Sequence, residues 1–394
     1  MRIGYKLLES VTVYVHFVLE TTSHQGDVSM TEAKYAKHVQ PLRLRTEVIY
    51  PSFRGKISDF SLVHDEKSQP DCPIWIETYH AYAPGAGVFA PSELAPVIDG
   101  KPIEELKTLG QHSHNDFDEV YFFYGTDHTD NTRLGGEVEM WLGHGEDAQK
   151  FIMKDPTAVF VPKGLAHNPW IVTKINDSKR PIMITVVALT KKYSLAPEAV
   201  TNYPYPPKFS MEKIGVPQPG NGKYTAFVNR ITLSQDIMIS QLLGRVCVPN
   251  LMFDDKVFRA PLWAEFFLVY AGGTGVGVPT LGDPARADAM AYWDFTKGMQ
   301  HYQSYDEVFL YLPTDPHDTL NLGGEAVVYL GEEAHSITKP SCDRSKFSLR
   351  QWTFVCYQVL AIRPIDELNY QGAIVRDKIQ DAANIRMLEL TEYF

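Results

Sequence analysis

The chain has 394 residues, with 48 acidic against 37 basic side chains and a formal net charge of −11. An acidic chain without a Lys/Arg-rich block excludes a nucleic-acid partner, because phosphate binding needs concentrated positive charge. The length allows two or three domains.

Residues 1–39 are predicted to be an N-terminal extension. The segment from Val11 to Leu19 is an apolar run interrupted by His16, with no small-residue cleavage site after it. It makes a poor signal peptide and is too short to span a bilayer. Met30 offers an alternative start, so we assign residues 1–29 no function.

The four cysteines are far apart and form no CxxC pair; they are Cys72, Cys247, Cys342 and Cys356. Isolated cysteines of this kind are typical of reduced thiols in an intracellular protein. We therefore expect a cytoplasmic protein that has neither a membrane nor a nucleic-acid partner.

The domain predicted at residues 40–195 consists mainly of short strands separated by Gly, Pro, Asn and Asp clusters. The predicted strands run from Ile74 to Tyr82, Val120 to Tyr124, Val138 to Leu142, Ala158 to Val161 and Ile182 to Leu189. Such spacing is typical of an all-β sandwich or barrel.

The chain also contains an internal repeat with a constant offset of 188 residue numbers. The repeat relates Trp75 to Trp263, Glu77 to Glu265, Asp118-Glu119 to Asp306-Glu307, and Leu134-Gly135-Gly136-Glu137 to Leu322-Gly323-Gly324-Glu325. A period this long indicates a duplicated domain and not a solenoid of short units. The second copy is predicted at residues 223–365.

Between the copies, residues 196–222 are predicted to be an irregular connector. Its prolines are Pro197, Pro204, Pro206, Pro207, Pro217 and Pro219. The aromatic residues Tyr203 and Tyr205 suggest that it packs on a barrel. Residues 366–394 are predicted to be a helical tail, with one amphipathic helix from Ile374 to Leu390.

Three histidines and a glutamate in the first copy have the spacing of a metal site. His112 and His114 alternate along one strand, so their rings project to the same face. Glu119 has the opposite parity and rejoins that face if the chain turns near Asn115-Asp116. A second turn, at Pro162 and Gly164, delivers His167 from a third strand; these residues are predicted metal ligands.

The second copy lacks this set. His112 corresponds to Gln300 and His114 to Tyr302, while Glu119 keeps a counterpart in Glu307. His301 is one position off and would face the other side of its strand. No histidine follows His335, so His167 has no counterpart either. The sequence predicts one metal centre, in the N-terminal domain.

The HxH pair followed by Glu119, and the PxGxxH stretch ending at His167, resemble the two motifs of the cupin superfamily. The resemblance covers residues 100–175 by motif, and through the repeat it extends to most of the chain as a bicupin. It implies two jelly-roll barrels in tandem, with His112, His114, Glu119 and His167 as metal ligands.

Aromatic residues near these ligands are candidates for substrate binding. Tyr121 and Phe123 share the parity of Glu119, and Trp170 follows His167 closely, so we assign all three to substrate binding. The alternative is that these rings simply fill the barrel. Glu119 is also the candidate catalytic base.

The donor set predicts one divalent transition metal ion per chain. Imidazole and carboxylate ligands without thiolate suit iron, which we favour, but also manganese, nickel, cobalt, copper or zinc. Three nitrogen donors disfavour magnesium and calcium.

Three functions fit this reading. The preferred one is a dioxygenase-type oxidoreductase acting on a small phenolic or carboxylic substrate, by analogy of fold and ligand set. The alternative is a non-redox isomerase, decarboxylase or cyclase in which the ion acts as a Lewis acid. The second alternative is a non-catalytic bicupin that binds or stores small molecules. Whether two chains pair as a homodimer is left open.

Overall fold

The protein is represented by a computed structural model that describes part of the chain. The described residues are 36–45, 55–58, 61–68, 74–88, 97–98, 101–102, 111–196, 198–204, 206, 222–234, 250–253, 262–269, 306–323, 326–330, 333–337, 339–343 and 355–362. All of them belong to one compact unit, Tyr35–Phe394. Within these ranges there is no helix with the length and hydropathy needed to cross a membrane.

Strands dominate the described residues, which confirms the all-β prediction. They are β1 (Gln40–Pro41), β2 (Arg43–Arg45), β3 (Ser61–His64), β4 (Trp75–Ala81), β5 (Gly87–Val88), β6 (Val97–Ile98), β7 (Lys101–Pro102), β8 (Gln111–His114), β9 (Glu119–Gly125), β10 (Gly136–Leu142), β11 (Gln149–Met153), β12 (Thr157–Val161), β13 (His167–Ile175), β14 (Ile182–Ala188), β15 (Val200–Tyr203), β16 (Val228–Arg230), β17 (Thr232–Ser234), β18 (Asn250–Phe253), β19 (Leu262–Val269), β20 (Asp306–Pro313), β21 (Ala326–Leu330), β22 (Glu333–Ile337), β23 (Ser341–Asp343) and β24 (Val355–Ile362). The helices within the described ranges are short 3-10 turns at Ala36–His38, Gly145–Asp147 and Thr225–Phe227.

Eight strands of the first half form a jelly roll. One sheet has the order β4-β14-β9-β12 at its centre, and the other has the order β11-β10-β13-β8. The first of the eight strands therefore pairs with the last, the second with the seventh, the third with the sixth and the fourth with the fifth. All of these pairs are antiparallel. This nested pairing is the topology of a jelly roll.

Alternation along the strands gives the first barrel two apolar faces. On β9, Tyr121 and Phe123 point into the barrel, where they pack in one core with Met140 and Trp170 of the opposite sheet. Phe122 points outward into a second core. Because side chains of a strand alternate between faces, one sequence stretch supplies both cores.

The second core joins the two halves of the chain. The ring of Phe122 lies 5.2 Å from that of Phe253 and 5.1 Å from that of Phe266. Tyr124, on the same face of β9, lies 4.6 Å from Phe266 by ring centroids. The outer face of the first barrel is therefore an apolar contact with the second copy.

The second half repeats the strand order of the first. Its sheet contains the order β19-β24-β20-β23, which matches β4-β14-β9-β12, and β21 pairs with β22 as β10 pairs with β11. Trp263 and Glu307 are both aligned with Ala361, just as Trp75 and Glu119 are aligned with Ala188. The register therefore agrees with the internal repeat.

Three short strands pair in ways that the predicted domain boundaries do not anticipate. The boundaries themselves remain a prediction. β1 pairs with β23 of the second half, although residue 40 was assigned to the first domain. β16 pairs with β12 of the first barrel, although residues 223–365 were assigned to the second. β15, in the segment expected to be irregular, is a strand that pairs with β8.

Tyr203 packs as predicted, since its ring stacks on His144 with centroids 4.3 Å apart. Tyr205, the helix expected from Ile374 to Leu390, the tail at residues 366–394 and the extension at residues 1–29 all lie outside the described residues.

Candidate metal centre

Strand β8 presents two of the predicted ligands. His112 and His114 are both about 2% exposed, and their ring centroids lie 4.9 Å apart. Asn115 and Asp116 are exposed and carry the chain out of β8. The chain re-enters the sheet at Glu119, the first residue of β9, so the turn predicted from Asn115-Asp116 is present.

A tight turn delivers the third histidine. The backbone N–H of Leu165 donates to the Pro162 carbonyl at 3.0 Å, and Gly164 has a left-handed φ of 80°. The Gly164 N–H donates to the His114 carbonyl at 2.7 Å, which ties this turn to β8. His167 then opens β13 opposite His112, with which it is paired in register.

A bulge at the start of β13 orients this part of the strand. Against β10 the register shifts between Met140 and Leu142, which face Trp170 and His167. Asn168 has a φ of 72°, a left-handed conformation that asparagine tolerates better than most residues. Such bulges re-aim side chains and are frequent beside functional sites.

The four predicted ligands meet inside the barrel. His112, His114 and His167 each offer a ring nitrogen within 4.8 Å of the others. Oε2 of Glu119 lies 2.9 Å from Nε2 of His167 and 3.3 Å from Nε2 of His114. Both Glu119 and His167 have zero exposure. We call these four side chains the donor cluster.

Some atoms of the donor cluster that could bind a metal ion make no hydrogen bond. Oε1 of Glu119 and both ring nitrogens of His114 are buried and make no hydrogen bond. Nδ1 of His167 lies 3.0 Å from the Leu165 carbonyl, which can only accept, so Nδ1 carries the proton. In the neutral ring this leaves the lone pair on Nε2, the nitrogen nearest Glu119 and the one that can bind a metal ion.

Electrostatics favour the metal-binding forms of two members of the donor cluster, His112 and Glu119. Burial lowers the pKa of His112 well below its ordinary value, and the neighbouring His167 and His114 lower it further. Burial by itself would raise the pKa of Glu119, but His114 and His167 bring it below the ordinary range. Neutral imidazole and carboxylate are the forms that bind metal ions. An ion held by three nitrogens and one oxygen therefore fits the residues present.

Tyr121, predicted to bind substrate, lies beside the donor cluster. Its hydroxyl donates to Oε2 of Glu119 at 3.5 Å and accepts from Nδ2 of Asn168 at 3.3 Å. Its ring centroid lies 5.8 Å from that of His167. Tyr121 therefore lies beside the cluster, as the alternation along β9 predicts, and its hydroxyl orients the Glu119 carboxylate.

The other two predicted substrate residues line the barrel farther from the ligands. Trp170 is 1% exposed, and its ring lies 6.2 Å from both Phe123 and Tyr79. Phe123 stacks near Tyr121 with centroids 6.4 Å apart. Both rings belong to the barrel core, and their part in substrate binding remains a prediction.

Sequence reasoning missed two aromatic residues that contact the cluster. The ring of Phe117 stacks on His114 with centroids 4.3 Å apart. Tyr193, which follows β14, lies 5.2 Å from His114 and stacks on Trp75 at 4.0 Å. Phe117 stands between two ligands in the sequence and could have been suspected, but no local pattern points to Tyr193.

A second polar group inside the barrel was also missed. Glu77 is 3% exposed and accepts a hydrogen bond from Ser61, while its Oε2 lies 3.5 Å from Nη1 of Arg45. The Arg45 guanidinium also lies 5.9 Å from the ring of Trp75. The internal repeat relates Glu77 to Glu265, which is likewise buried. This correspondence was the sequence feature that could have indicated a role for Glu77.

Gln300, His301 and Tyr302 lie outside the described residues, and Glu307 is described in its backbone only. That the second copy binds no metal ion, and that the chain has a single metal centre, therefore remains a prediction.

Comparisons with known proteins find similar folds but no relative by sequence. No family model and no curated protein matches the chain. Among solved structures, a variant of Bacillus subtilis oxalate decarboxylase is 10% identical, with 82% of this chain and 75% of that chain covered and a TM-score of 0.43. A second variant of that enzyme is 10% identical, with coverages of 86% and 81% and a TM-score of 0.44. Oxalate decarboxylase from Lactobacillus farciminis, in complex with formate, is 8% identical, with coverages of 82% and 84% and a TM-score of 0.43. Identities and scores this low say nothing about the chemistry of this chain.

Proposed function

We propose that the first barrel binds one divalent transition metal ion through His112, His114, Glu119 and His167. One observation carries the proposal: three imidazole nitrogens lie within 4.8 Å of one another in a fully buried site beside a carboxylate. Buried polar atoms are normally hydrogen-bonded, and those of His114 and Glu119 Oε1 are not. A bound cation would satisfy one ring nitrogen of His114 and could also take Oε1 of Glu119.

The donor set restricts the ion without naming it. Three nitrogens and one oxygen suit iron, manganese, cobalt, nickel, copper or zinc, whereas magnesium and calcium prefer oxygen. Iron, which the sequence analysis favours, remains a proposal. An ion of this kind acts as a Lewis acid that polarises a carbonyl or carboxylate oxygen of a substrate.

We further propose that the protein is an enzyme with non-redox chemistry on a small organic acid, in the isomerase, decarboxylase or cyclase class. Two tyrosines near the cluster support this class, because they supply hydroxyl groups. Burial raises the pKa of Tyr121 well above its ordinary value, and Glu119 and Glu77 add to the effect. Tyr193 is held protonated in the same way. Phenols that stay neutral can donate hydrogen bonds to substrate oxygens.

The dioxygenase expected from the sequence relies on the same four ligands. No further described side chain is specific to dioxygen chemistry, so oxidation is the competing outcome that experiment has to decide. A storage or binding role is disfavoured, because a purely structural barrel has no chemical use for three imidazoles that converge beside a buried carboxylate.

Two measurements test these proposals: the metal content tests the metal centre, and the dependence of turnover on dioxygen tests the non-redox class. Purified protein is analysed for bound metal per chain, and the metal-loaded form is then incubated with oxalate and with other small carboxylic and phenolic acids. We expect one ion per chain in the first barrel, and turnover that continues under argon. Turnover that stops under argon and consumes dioxygen in air would reject the non-redox class while leaving the metal centre intact.

A further inference from the structure

The donor cluster lies at one end of the first barrel, where β8 ends and β9 and β13 begin. Trp75 at the start of β4, Ala188 at the end of β14 and Glu119 at the start of β9 are aligned in register. The chain that follows β14 therefore leaves the sheet directly beside Glu119. We call its described residues, 189–196 and 198–199, the mouth loop.

Backbone hydrogen bonds hold both ends of the mouth loop. The Leu189 N–H donates to the Asp118 carbonyl at 2.9 Å, and the Asn115 N–H donates to the Ala199 carbonyl at 3.2 Å. Asp118 and Asn115 belong to the connection between His114 and Glu119. The loop is therefore fixed to the same short segment that positions two ligands.

Tyr193 is the inward-facing residue of this loop. Lys191 and Lys192 before it are exposed, Leu195 after it is 40% exposed, and Tyr193 is half-buried. Its ring is nearly parallel to that of Trp75, with an interplanar angle of 12°. This stacking fixes the plane of the phenol at the end of the barrel that holds the donor cluster.

Contacts place the Tyr193 ring against the donor cluster. Its centroid lies 5.2 Å from that of His114 and 5.8 Å from that of Phe117. The charges of Glu119 and Glu77 both act on it, so the phenol lies in the field of both carboxylates.

The hydroxyl of Tyr193 has no acceptor within the described part of the chain, although the ring makes three aromatic contacts. Tyr193 is half-buried, so a ligand that reaches its hydroxyl could accept the hydrogen bond that the described residues do not. A partly exposed donor that stacking fixes beside the donor cluster is placed to meet a ligand that approaches the cluster along this loop.

We propose that Tyr193 is a substrate-binding residue, whose hydroxyl donates a hydrogen bond to a carboxylate or carbonyl oxygen of a substrate at the donor cluster. This inference rests on the proposed metal centre, and it specifies the substrate class as small acids that present an oxygen acceptor toward the mouth loop. Stacking on Trp75 holds the donor in place before binding, which reduces the entropy lost when the substrate arrives.

The test uses the full chain loaded with Co²⁺, whose visible absorption reports changes in its ligands. Oxalate and benzoate are titrated separately into the wild type, Tyr193→Phe and Tyr203→Phe, and Kd is read from the absorption change. Tyr203→Phe is the matched control. Tyr203, at the end of β15, stacks on His144 and has no contact with the donor cluster. Co²⁺ content is measured for all three proteins.

We expect equal Co²⁺ content in the three proteins and a Kd for at least one of the two acids that rises about tenfold or more in Tyr193→Phe. The expected size is that of one lost hydrogen bond to a charged acceptor. A Kd that stays within about twofold of the wild type, or a wild type that binds Co²⁺ and neither acid, would overturn the role of Tyr193 alone. Failure of the wild type to bind Co²⁺ would overturn the metal centre and this inference together.

Discussion

His112 on β8 and His167 on β13 are partners in register across an antiparallel strand pair, and their ring centroids lie 4.4 Å apart. This pair joins two distant parts of the chain in the sheet itself. Because each histidine is held by its own strand, the rings can converge without relying on a flexible loop. Substitutions in and around the donor cluster should therefore have effects that can be measured separately.

Removing one ligand should abolish metal binding. We expect His114→Ala to lower the metal content to a small fraction of the wild-type value, because it removes one of the three nitrogen donors. His144→Ala is the matched control, since His144 is exposed and stacks on Tyr203. Elemental analysis of the purified proteins measures the metal content.

The second copy provides a further control for the same experiment. Gln300 corresponds by the repeat to His112, and Gln300→Ala should leave the metal content unchanged. Equal losses in His114→Ala and Gln300→Ala, or two ions bound per wild-type chain, would contradict a single centre in the first barrel.

The hydroxyl of Tyr121 should strengthen metal binding through Glu119. Tyr121→Phe removes the hydrogen bond to Oε2 of Glu119 and the acceptor for Asn168. Loss of such an outer partner weakens metal affinity by about tenfold or more. Competition with a chelator measures the affinity.

Tyr124→Phe is the matched control for Tyr121→Phe. Tyr124 lies on the same strand but on its outer face, where its hydroxyl hydrogen-bonds to Thr185 at 3.2 Å. This variant should unfold more easily and keep the wild-type metal affinity. The same loss of affinity in both variants would show that Tyr121 acts through general stability alone.

His80 should make the stability of the protein fall in acid. It is fully buried, and its Nε2 donates to the Pro313 carbonyl at 2.7 Å, which links β4 to β20. Burial lowers the pKa of His80 to about 4, although Pro313 and Asp315 act to raise it. Between pH 6.5 and 4 the unfolded chain binds a proton that the folded chain does not. The stability that His80 contributes is therefore present above this window and is lost as the pH falls through it.

The variant His80→Gln isolates this effect, because glutamine can donate to Pro313 but does not titrate. Linkage predicts that His80 removes about 2 kcal/mol of stability between about pH 7 and about pH 5. Urea unfolding at both pH values should show that His80→Gln loses a smaller part of its stability on acidification. His144→Gln should behave as the wild type, and an unchanged pH dependence in His80→Gln would refute the assignment.

The turn before His167 should require a residue that tolerates the left-handed backbone conformation at position 164. Gly164 has a φ of 80°, and a Cβ there would meet nothing within 4 Å, so the cost of substitution is backbone strain. Gly164→Ala should destabilise the protein by about 1 kcal/mol, and Gly164→Asn by less, since asparagine tolerates this conformation. Thermal unfolding measures the difference. Equal losses would indicate that the turn relaxes to another conformation.

Much of the fold and of the donor cluster followed from patterns between near neighbours in the chain. Alternation placed His112 with His114, and Tyr121 with Phe123, on shared faces, and turn-forming residues marked the break before Glu119. These features are local, because the geometry of a strand relates a residue to those two positions away whatever lies around it. The internal repeat likewise predicted that the second half would share the strand order of the first.

Other parts of the site depended on the path of the chain in space. Tyr193 reaches His114 only because β14 ends beside Glu119, and Asn168 reaches Tyr121 only because β13 carries a bulge. Likewise, no local sequence pattern predicts that β1 pairs with β23 of the second half or that β16 pairs with β12 of the first. Such contacts join residues far apart in the chain, so they are decided by strand register and loop direction, which emerge when the two sheets and their shared cores pack together.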